Sequence, residues 1–236
     1  MDNKQTVLII DDDELVSRTL QRALRMYGYH TMAALSGSEG LKLAHRHRPD
    51  LFILDIVMPG ADGYQVCRQI RGDPLLKDLP VLFLTAKGKD EDKLEGFRAG
   101  ADDYLSKPFN IEELQLRVKA ILRRTMSQVE EQEKVTEVVR GDVILDCVTF
   151  SVSTPAGHSN LTNIQFDLLY HLMVHPGQVF NSQQLLQDVW GYPRDSGSPE
   201  LVRAHIKNLR DKVEPNPRRP VYIRTIAGHG YTFDDA

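Results

Sequence analysis

Apolar and polar positions divide the chain into two halves with different periods. In the first half, Thr6 to Ile10 (TVLII), Leu51 to Leu54 (LFIL) and Pro80 to Leu84 (PVLFL) are unbroken apolar runs bounded by charge or proline. Runs of that length without alternation fit strands buried on both faces of a parallel sheet. Tyr29 to Leu35 and Asp103 to Leu105 are weaker strand candidates. Between the runs, Leu15, Val16, Thr19, Leu20, Ala23, Leu24 and Tyr27 recur at helical spacing, as do Leu114, Val118, Ile121 and Leu122. Five strands alternating with five helices predict an α/β fold with a doubly wound, five-stranded parallel sheet.

The helical pattern ends at Arg123-Arg124, and the polar stretch from Thr125 to Glu137 (TMSQVEEQEKVTE) suits a linker, with an extended last helix as the alternative. Beyond it the period changes. Val138 to Val152 alternates about a turn at Gly141-Asp142 and predicts a small antiparallel sheet. Thr162, with Gln165 three residues on, opens a helix striped by Leu168, Leu169, Leu172 and Met173. A second helix is expected over Ser182 to Trp190 and a third from Pro199 to Val213. Val221 to Phe233 reads as two strands joined at Gly228-His229-Gly230. The expected division is 1–124, a linker 125–137, and an α+β unit over 138–236.

Composition adds one asymmetry. The 236 residues carry a net charge of -4, with 41% hydrophobic and 26% charged residues. Between Arg194 and Arg224, however, eight basic residues face four acids, which leaves +4. The stretch from Glu130 to Asp188 is acidic. A confined basic surface on an acidic protein points to a local phosphate or nucleic-acid contact rather than general polyanion binding. Cys67 and Cys147 stand far apart without metal-ligand spacing and are expected to be reduced core residues. No leader or long apolar stretch is visible, so a cytoplasmic protein is expected.

Open parallel sheets bind ligands beyond the carboxyl ends of their strands. Asp11-Asp12-Asp13, Asp55, Thr85 and Lys107-Pro108 stand at those ends. Any one of these acids could simply cap a helix. Several converging on one edge repel and call for a counter-charge, and Mg²⁺ suits few carboxylates with room left for water or phosphate. On the helix over 199–213, Val202, Ile206, Leu209 and Val213 form a core stripe, while Arg203, Lys207 and Arg210 share another face beside Ala204 and Asn208. Cations there could meet phosphates, and Asn208 could read an adenine edge. By itself this is an ordinary amphipathic helix.

The segments LIIDDDE, LDIVMPGADG, LFLTA and GADDYLSKPF resemble those of bacterial response-regulator receiver domains, over roughly residues 5–124. LTNIQFDLLYHLMVHPGQVFNSQQLLQDVWG, VRAHIKNLRDKVE and YIRTIAGHGYTF resemble the winged-helix effector of the OmpR/PhoB subfamily, over roughly 138–235. The resemblance implies that Asp55 accepts a phosphoryl group from a sensor histidine kinase. It makes Asp11, Asp12, Asp55 and the Val57 carbonyl the Mg²⁺ ligands, Thr85 and Lys107 the groups that meet the phosphoryl oxygens, and Thr85 with Tyr104 the switch. Lys107-Pro108 matches a cis-proline junction. Lys93, Phe97, Asp102, Asp103, Glu113 and Arg117 match a face that pairs two receivers, although Gln115 stands where relatives carry a small apolar residue. The helix over 199–213 becomes the recognition helix, with Thr225 and His229 of the wing as further DNA contacts, and loop 191–199 a segment that can meet RNA polymerase.

Together these imply a transcription factor, not an enzyme, that dimerises when phosphorylated and binds direct or inverted repeats. An aspartyl-phosphate phosphatase would need a second acid two residues past Asp55, where Val57 stands. A phosphorylation-independent DNA binder or a phosphorelay adaptor would share the same fold. Departures from relatives at Arg203, Asn208 and Ala227 leave the DNA sequence open. Trp190 is expected in the core.

Overall fold

The computed structural model describes residues 4–60, 62–86, 99–131, 136–194 and 196–235; side chains are described for these except at Ala86 and residues 124–131. The chain divides into two compact units, 1–122 and 123–236.

The first unit runs β1 (Thr6–Ile10), α1 (Glu14–Met26), β2 (His30–Ala34), α2 (Gly37–His47), β3 (Leu51–Asp55), α3 (Gly63–Gly72), β4 (Val81–Ala86), β5 (Asp103–Lys107) and α4 (Ile111–Glu131). The five strands form one parallel sheet in the order β2-β1-β3-β4-β5. The period of two along each strand sorts its residues onto two faces. Val7, Ile9, Leu51, Ile53, Leu82, Leu84 and Leu105 pack with Leu20 and Leu24 of α1 and Leu114, Val118, Ile121 and Leu122 of α4. The opposite phase (Leu8, Ile10, Phe52, Leu54, Phe83) is equally buried. There Tyr64 of α3 meets Phe83 edge to face at 5.6 Å, and α2 approaches so closely that a Cβ on Gly40 would lie 2.3 Å from the Ile10 side chain. Covered on both faces, the strands have no polar face to alternate with, which explains their unbroken apolar runs. Cys67 is buried, and desolvation pushes its thiol up to about 11.

The helix expected over 90–99 lies outside the described residues. The last helix of this unit does not stop at Arg124 but continues to Glu131. The segment after Arg124 contains good helix formers such as Gln, Glu and Met, so it can stay helical without an apolar stripe.

The second unit opens with a four-stranded antiparallel meander: β6 (Glu137–Arg140), β7 (Val143–Asp146), β8 (Ser151–Thr154) and β9 (Gly157–Asn160). The polar β9 (GHSN) carries no strand pattern in sequence and is held by its ladder to β8. Three helices follow, α5 (Asn163–Val174), α6 (Ser182–Asp188) and α7 (Pro199–Val213), then the hairpin of β10 (Ile223–Ile226) and β11 (Gly230–Phe233). Gln165 Oε1 accepts from the Thr162 N–H at 3.2 Å. Asn181 and Gln184 bond each other's backbone N–H groups at 2.8 and 2.9 Å, a second reciprocal cap that starts α6. Trp190 is fully buried. Gly230, at φ +140°, sits where a Cβ would meet the Phe180 carbonyl at 2.0 Å. That approach lets Phe180 and Tyr231 exchange backbone hydrogen bonds of 2.9 Å, which ties the hairpin to the residues before α6.

Candidate functional site

Continuing the strand alternation past the core places Asp11 after Val7 and Ile9, Asp55 after Leu51 and Ile53, and Lys107 after Asp103 and Leu105. These three residues converge at the carboxyl edge of the sheet. The Lys107 ammonium donates to Asp11 Oδ2 at 2.8 Å and lies 3.1 Å from Asp55 Oδ1. Asp11, Asp12 and Asp55 each offer an oxygen within 4.8 Å of the others'. Asp13, their neighbour, is spent differently: it caps α1, accepting from the Leu15 and Val16 N–H groups. Their position at a strand end does not by itself separate these three adjacent aspartates; the resemblance singled out Asp11 and Asp12, and the helix cap accounts for Asp13.

Charge decides what the cluster can hold. Three carboxylates and one ammonium leave -2 (three minus one) when all are ionised. The donor set is all oxygen, and a hard divalent cation such as Mg²⁺ fits both the residual charge and the ligand type. Burial, reinforced by Asp11, raises the Asp55 carboxyl above the ordinary carboxylate value against the pull of Lys107. Burial alone would lower the Lys107 ammonium. Its hydrogen bond to Asp11 and the charge of Asp55 overcome that, and the net shift is upward. Lys107 and Asp55 each favour the charged form of the other; for Lys107 that pull prevails over burial, and for Asp55 burial prevails.

Gly63 allows this geometry. It opens α3 directly against the end of β3, where a Cβ would lie 2.2 Å from the Asp55 carbonyl, and its N–H donates to Ile56 at 2.8 Å. Val57, between them, is exposed. Thr85 and Tyr104 are both buried. Tyr104 pairs with Phe83 and Ser106 with Thr85, so Thr85 and Tyr104 stand in the same phase of the sheet. The Lys107-Pro108 peptide is cis.

The residues expected on a pairing face divide. Lys93 and Phe97 lie outside the described residues. Glu113 is exposed, but Asp102, Asp103 and Arg117 are buried. Arg117 bonds Asp103 at 2.8 Å and Glu113 at 2.7 Å. Asp102 accepts from Arg71 and from the Val81 N–H, both at 2.8 Å. Arg71 also donates to the carbonyls of Gly100, Lys77 and Leu79. Asp102 is therefore an anchor for the start of β5, a role that its spacing from other charges did not signal.

In the second unit the basic window resolves into outward and inward cations. Arg203 and Lys207 are exposed on α7, and Arg203 pairs with Glu200 at 3.1 Å. Lys212 turns inward to the Asn160 carbonyl and Gln165 Oε1, both at 2.7 Å. Arg210 is half-buried against β10, and burial lowers its pKa. Ala204 is only 3% exposed, so its methyl is not presented outward as the sequence pattern suggested. With 3.6 residues per turn it belongs to the arc with Leu201 and Asn208, and Asn208 is half-buried. Thr225 and His229 are exposed, and His229 sits at the tip of the hairpin.

Comparison with known proteins is decisive for both units. A receiver-domain model for response regulators matches residues 7–119, and a model for the C-terminal domain of transcriptional regulatory proteins matches 157–233. The DNA-binding dual master transcriptional regulator RpaA of Synechocystis is 42% identical over 229 residues, covering 97% of this chain and 94% of that protein. The chain belongs to the OmpR/PhoB family of response regulators. Within this family it is also 39% identical to the alkaline phosphatase synthesis transcriptional regulatory protein PhoP of Bacillus subtilis, over 97% of this chain and 96% of that one. DrrB of Thermotoga maritima, a solved OmpR/PhoB homologue, matches at 33% identity and a TM-score of 0.51, covering 98% and 99% of the two chains. As a family member the chain joins a receiver to a DNA-binding effector. Among the described residues, no helix is long and apolar enough to cross a membrane.

Proposed function

We propose that this protein is a cytoplasmic transcription regulator switched by phosphorylation of Asp55. The observation that carries the proposal is the bridge from Lys107 to both Asp11 and Asp55 inside the carboxylate cluster. The Asp55 carboxylate attacks phosphorus in line, and the phosphoryl group passes from a phosphohistidine of a sensor kinase to one carboxylate oxygen. Lys107 offsets charge on the transferring oxygens, and the Thr85 hydroxyl receives one of them. Asp11, Asp12, Asp55 and the Val57 carbonyl would hold Mg²⁺, which supplies further positive charge at the developing oxyanions.

Phosphorylation adds about -1.5 to -2 of charge at this edge. Thr85 then moves toward the phosphoryl oxygens and Tyr104, in the same phase of the sheet, repacks behind it. The face formed by segment 90–99, β5 and α4 responds by pairing with a second copy. Lys93, Phe97 and Glu113 are its proposed contacts; the buried Asp103–Arg117 pair and Asp102 support it from beneath. In the effector, Arg203, Lys207, Asn208, Thr225 and His229 form the proposed DNA surface. Two such effectors side by side would engage repeated half-sites, the second binding at a raised effective concentration. Loop 191–199 is a proposed contact for RNA polymerase. The domain limits proposed are 1–124, 125–137 and 138–236.

The direct test is acid-labile phosphate uptake from a small phosphodonor with Mg²⁺. Wild type takes up one phosphate and Asp55→Asn takes up none; undiminished labelling of Asp55→Asn would remove the assignment.

A further inference from the structure

Arg210 sits on the basic arc of α7, yet its hydrogen bonds run within the protein. Its Nε and Nη2 donate to the Ile223 carbonyl at 2.9 and 2.7 Å, and Nη2 donates to Thr225 Oγ1 at 2.8 Å. One turn further along, the buried Glu214 carboxylate accepts from the N–H groups of Val221 at 2.7 Å, Tyr222 at 3.2 Å and Ile223 at 2.7 Å. Ile223 is thus gripped at both backbone groups by α7 and its C-terminal cap, its carbonyl by a cation on the helix and its N–H by the anion at the cap. These bonds use Nε and Nη2, so a two-pronged phosphate contact through that edge of the guanidinium would mean surrendering charge-assisted bonds to a buried acceptor, and only Nη1 is left outside the grip.

Beyond this grip the hairpin is held by its own four-pair ladder, by the Phe180–Tyr231 bridge and by the Gly177 N–H, which donates to the Phe233 carbonyl at 2.9 Å, while its tip, residues 227–229, is exposed. From this geometry we infer that Arg210, with Glu214 behind it, is a positioning residue that fixes the hairpin to α7, so that helix and hairpin meet DNA as one rigid surface. Arg210 is not itself a phosphate ligand. This rests on the proposal that α7 and the hairpin contact DNA, and it removes Arg210 from the set of DNA contacts that sequence suggested.

The test uses the full chain and a duplex recovered by selection with the wild-type protein. Arg210→Met weakens binding about three- to tenfold, the factor that lost hydrogen bonds of ordinary net worth represent. The slope of log affinity against log salt stays at its wild-type value. Hydroxyl-radical protection fades on the hairpin side only, and without DNA the amides of Thr225 to Gly228 exchange faster. Lys207→Ala is the control: it lowers the salt slope by about 0.9, one phosphate's worth, and leaves those amides unchanged.

If Arg210→Met lowers the slope by about 0.9 with unaltered amide exchange, Arg210 is a phosphate ligand and the inference is overturned. A Lys207→Ala slope equal to wild type would instead count against the DNA face, while the DNA-free exchange still judges the grip. Should Arg210→Met fail to fold, Arg210→Lys and Thr225→Val carry the exchange measurement. Faster exchange in both supports the inference, and wild-type exchange in both overturns it.

Discussion

Lys107 and Lys207 carry the same side chain to opposite ends of its range of use. Lys107 is only 24% exposed and bonds two carboxylates at a sheet edge. Lys207 stands exposed on the outward arc of a helix. In the receiver, function depends on charge turned inward, where low solvent access makes each interaction strong and geometry strict. In the effector it depends on charge turned outward, where each cation is weak alone and screened by salt. The inward site should therefore fail completely on small changes, whereas the outward surface should fail by degrees.

The largest expected effect is at Lys107. Lys107→Met removes the fixed cation beside Asp55 and should slow phosphate uptake about 10²–10³-fold, the range found when one preorganised charge-stabilising donor is lost. Lys207→Met should leave uptake at the wild-type rate. Equal labelling of the two variants would erase the contrast between the two sites.

Gly63→Ala comes next. Its Cβ cannot fit beside the Asp55 carbonyl without moving backbone, so it should destabilise the receiver by about 1–3 kcal/mol in urea unfolding. The labelling rate should fall with it, because the displaced atom belongs to the phosphoacceptor itself. A variant with unchanged midpoint and rate would show that α3 does not constrain Asp55.

The smallest effects sharpen the comparison inside one helix. Lys207→Ala should lower the salt slope of DNA binding by about 0.9. Lys212→Ala, which removes the bonds to Asn160 and Gln165, should leave that slope alone and cost about 1 kcal/mol of stability. Two lysines five positions apart would then be separated by where their hydrogen bonds go.

What sequence could reveal follows the same division. Unbroken apolar runs of strand length fit strands covered on both faces, so β1, β3 and β4 were legible, with the acids at the ends of β1 and β3 and Thr85 at the end of β4. The polar β9 was not, since its stability lies in the ladder to β8. The continuation of α4 to Glu131 stood in the sequence only as the alternative to a linker, because helix formers without an apolar stripe resemble one. Among site residues, Asp11, Asp55 and Lys107 follow from strand alternation. The inward turns of Asp102, Arg210 and Lys212 do not, because hydrogen bonds between segments far apart in the chain leave no periodic trace. The burial of Ala204 is likewise a property of packing around α7, not of the helix's own pattern.

The central claim is that the state of Asp55 sets DNA binding by α7 and the hairpin. The measurement that meets it most directly is the affinity of the full chain for its selected duplex, with and without a small phosphodonor and Mg²⁺, for wild type and Asp55→Asn. The account predicts that phosphodonor tightens wild-type binding about tenfold or more, about 1.4 kcal/mol or more, and leaves Asp55→Asn unchanged. Equal affinity of wild type in both conditions, or the same tightening in Asp55→Asn, would contradict it.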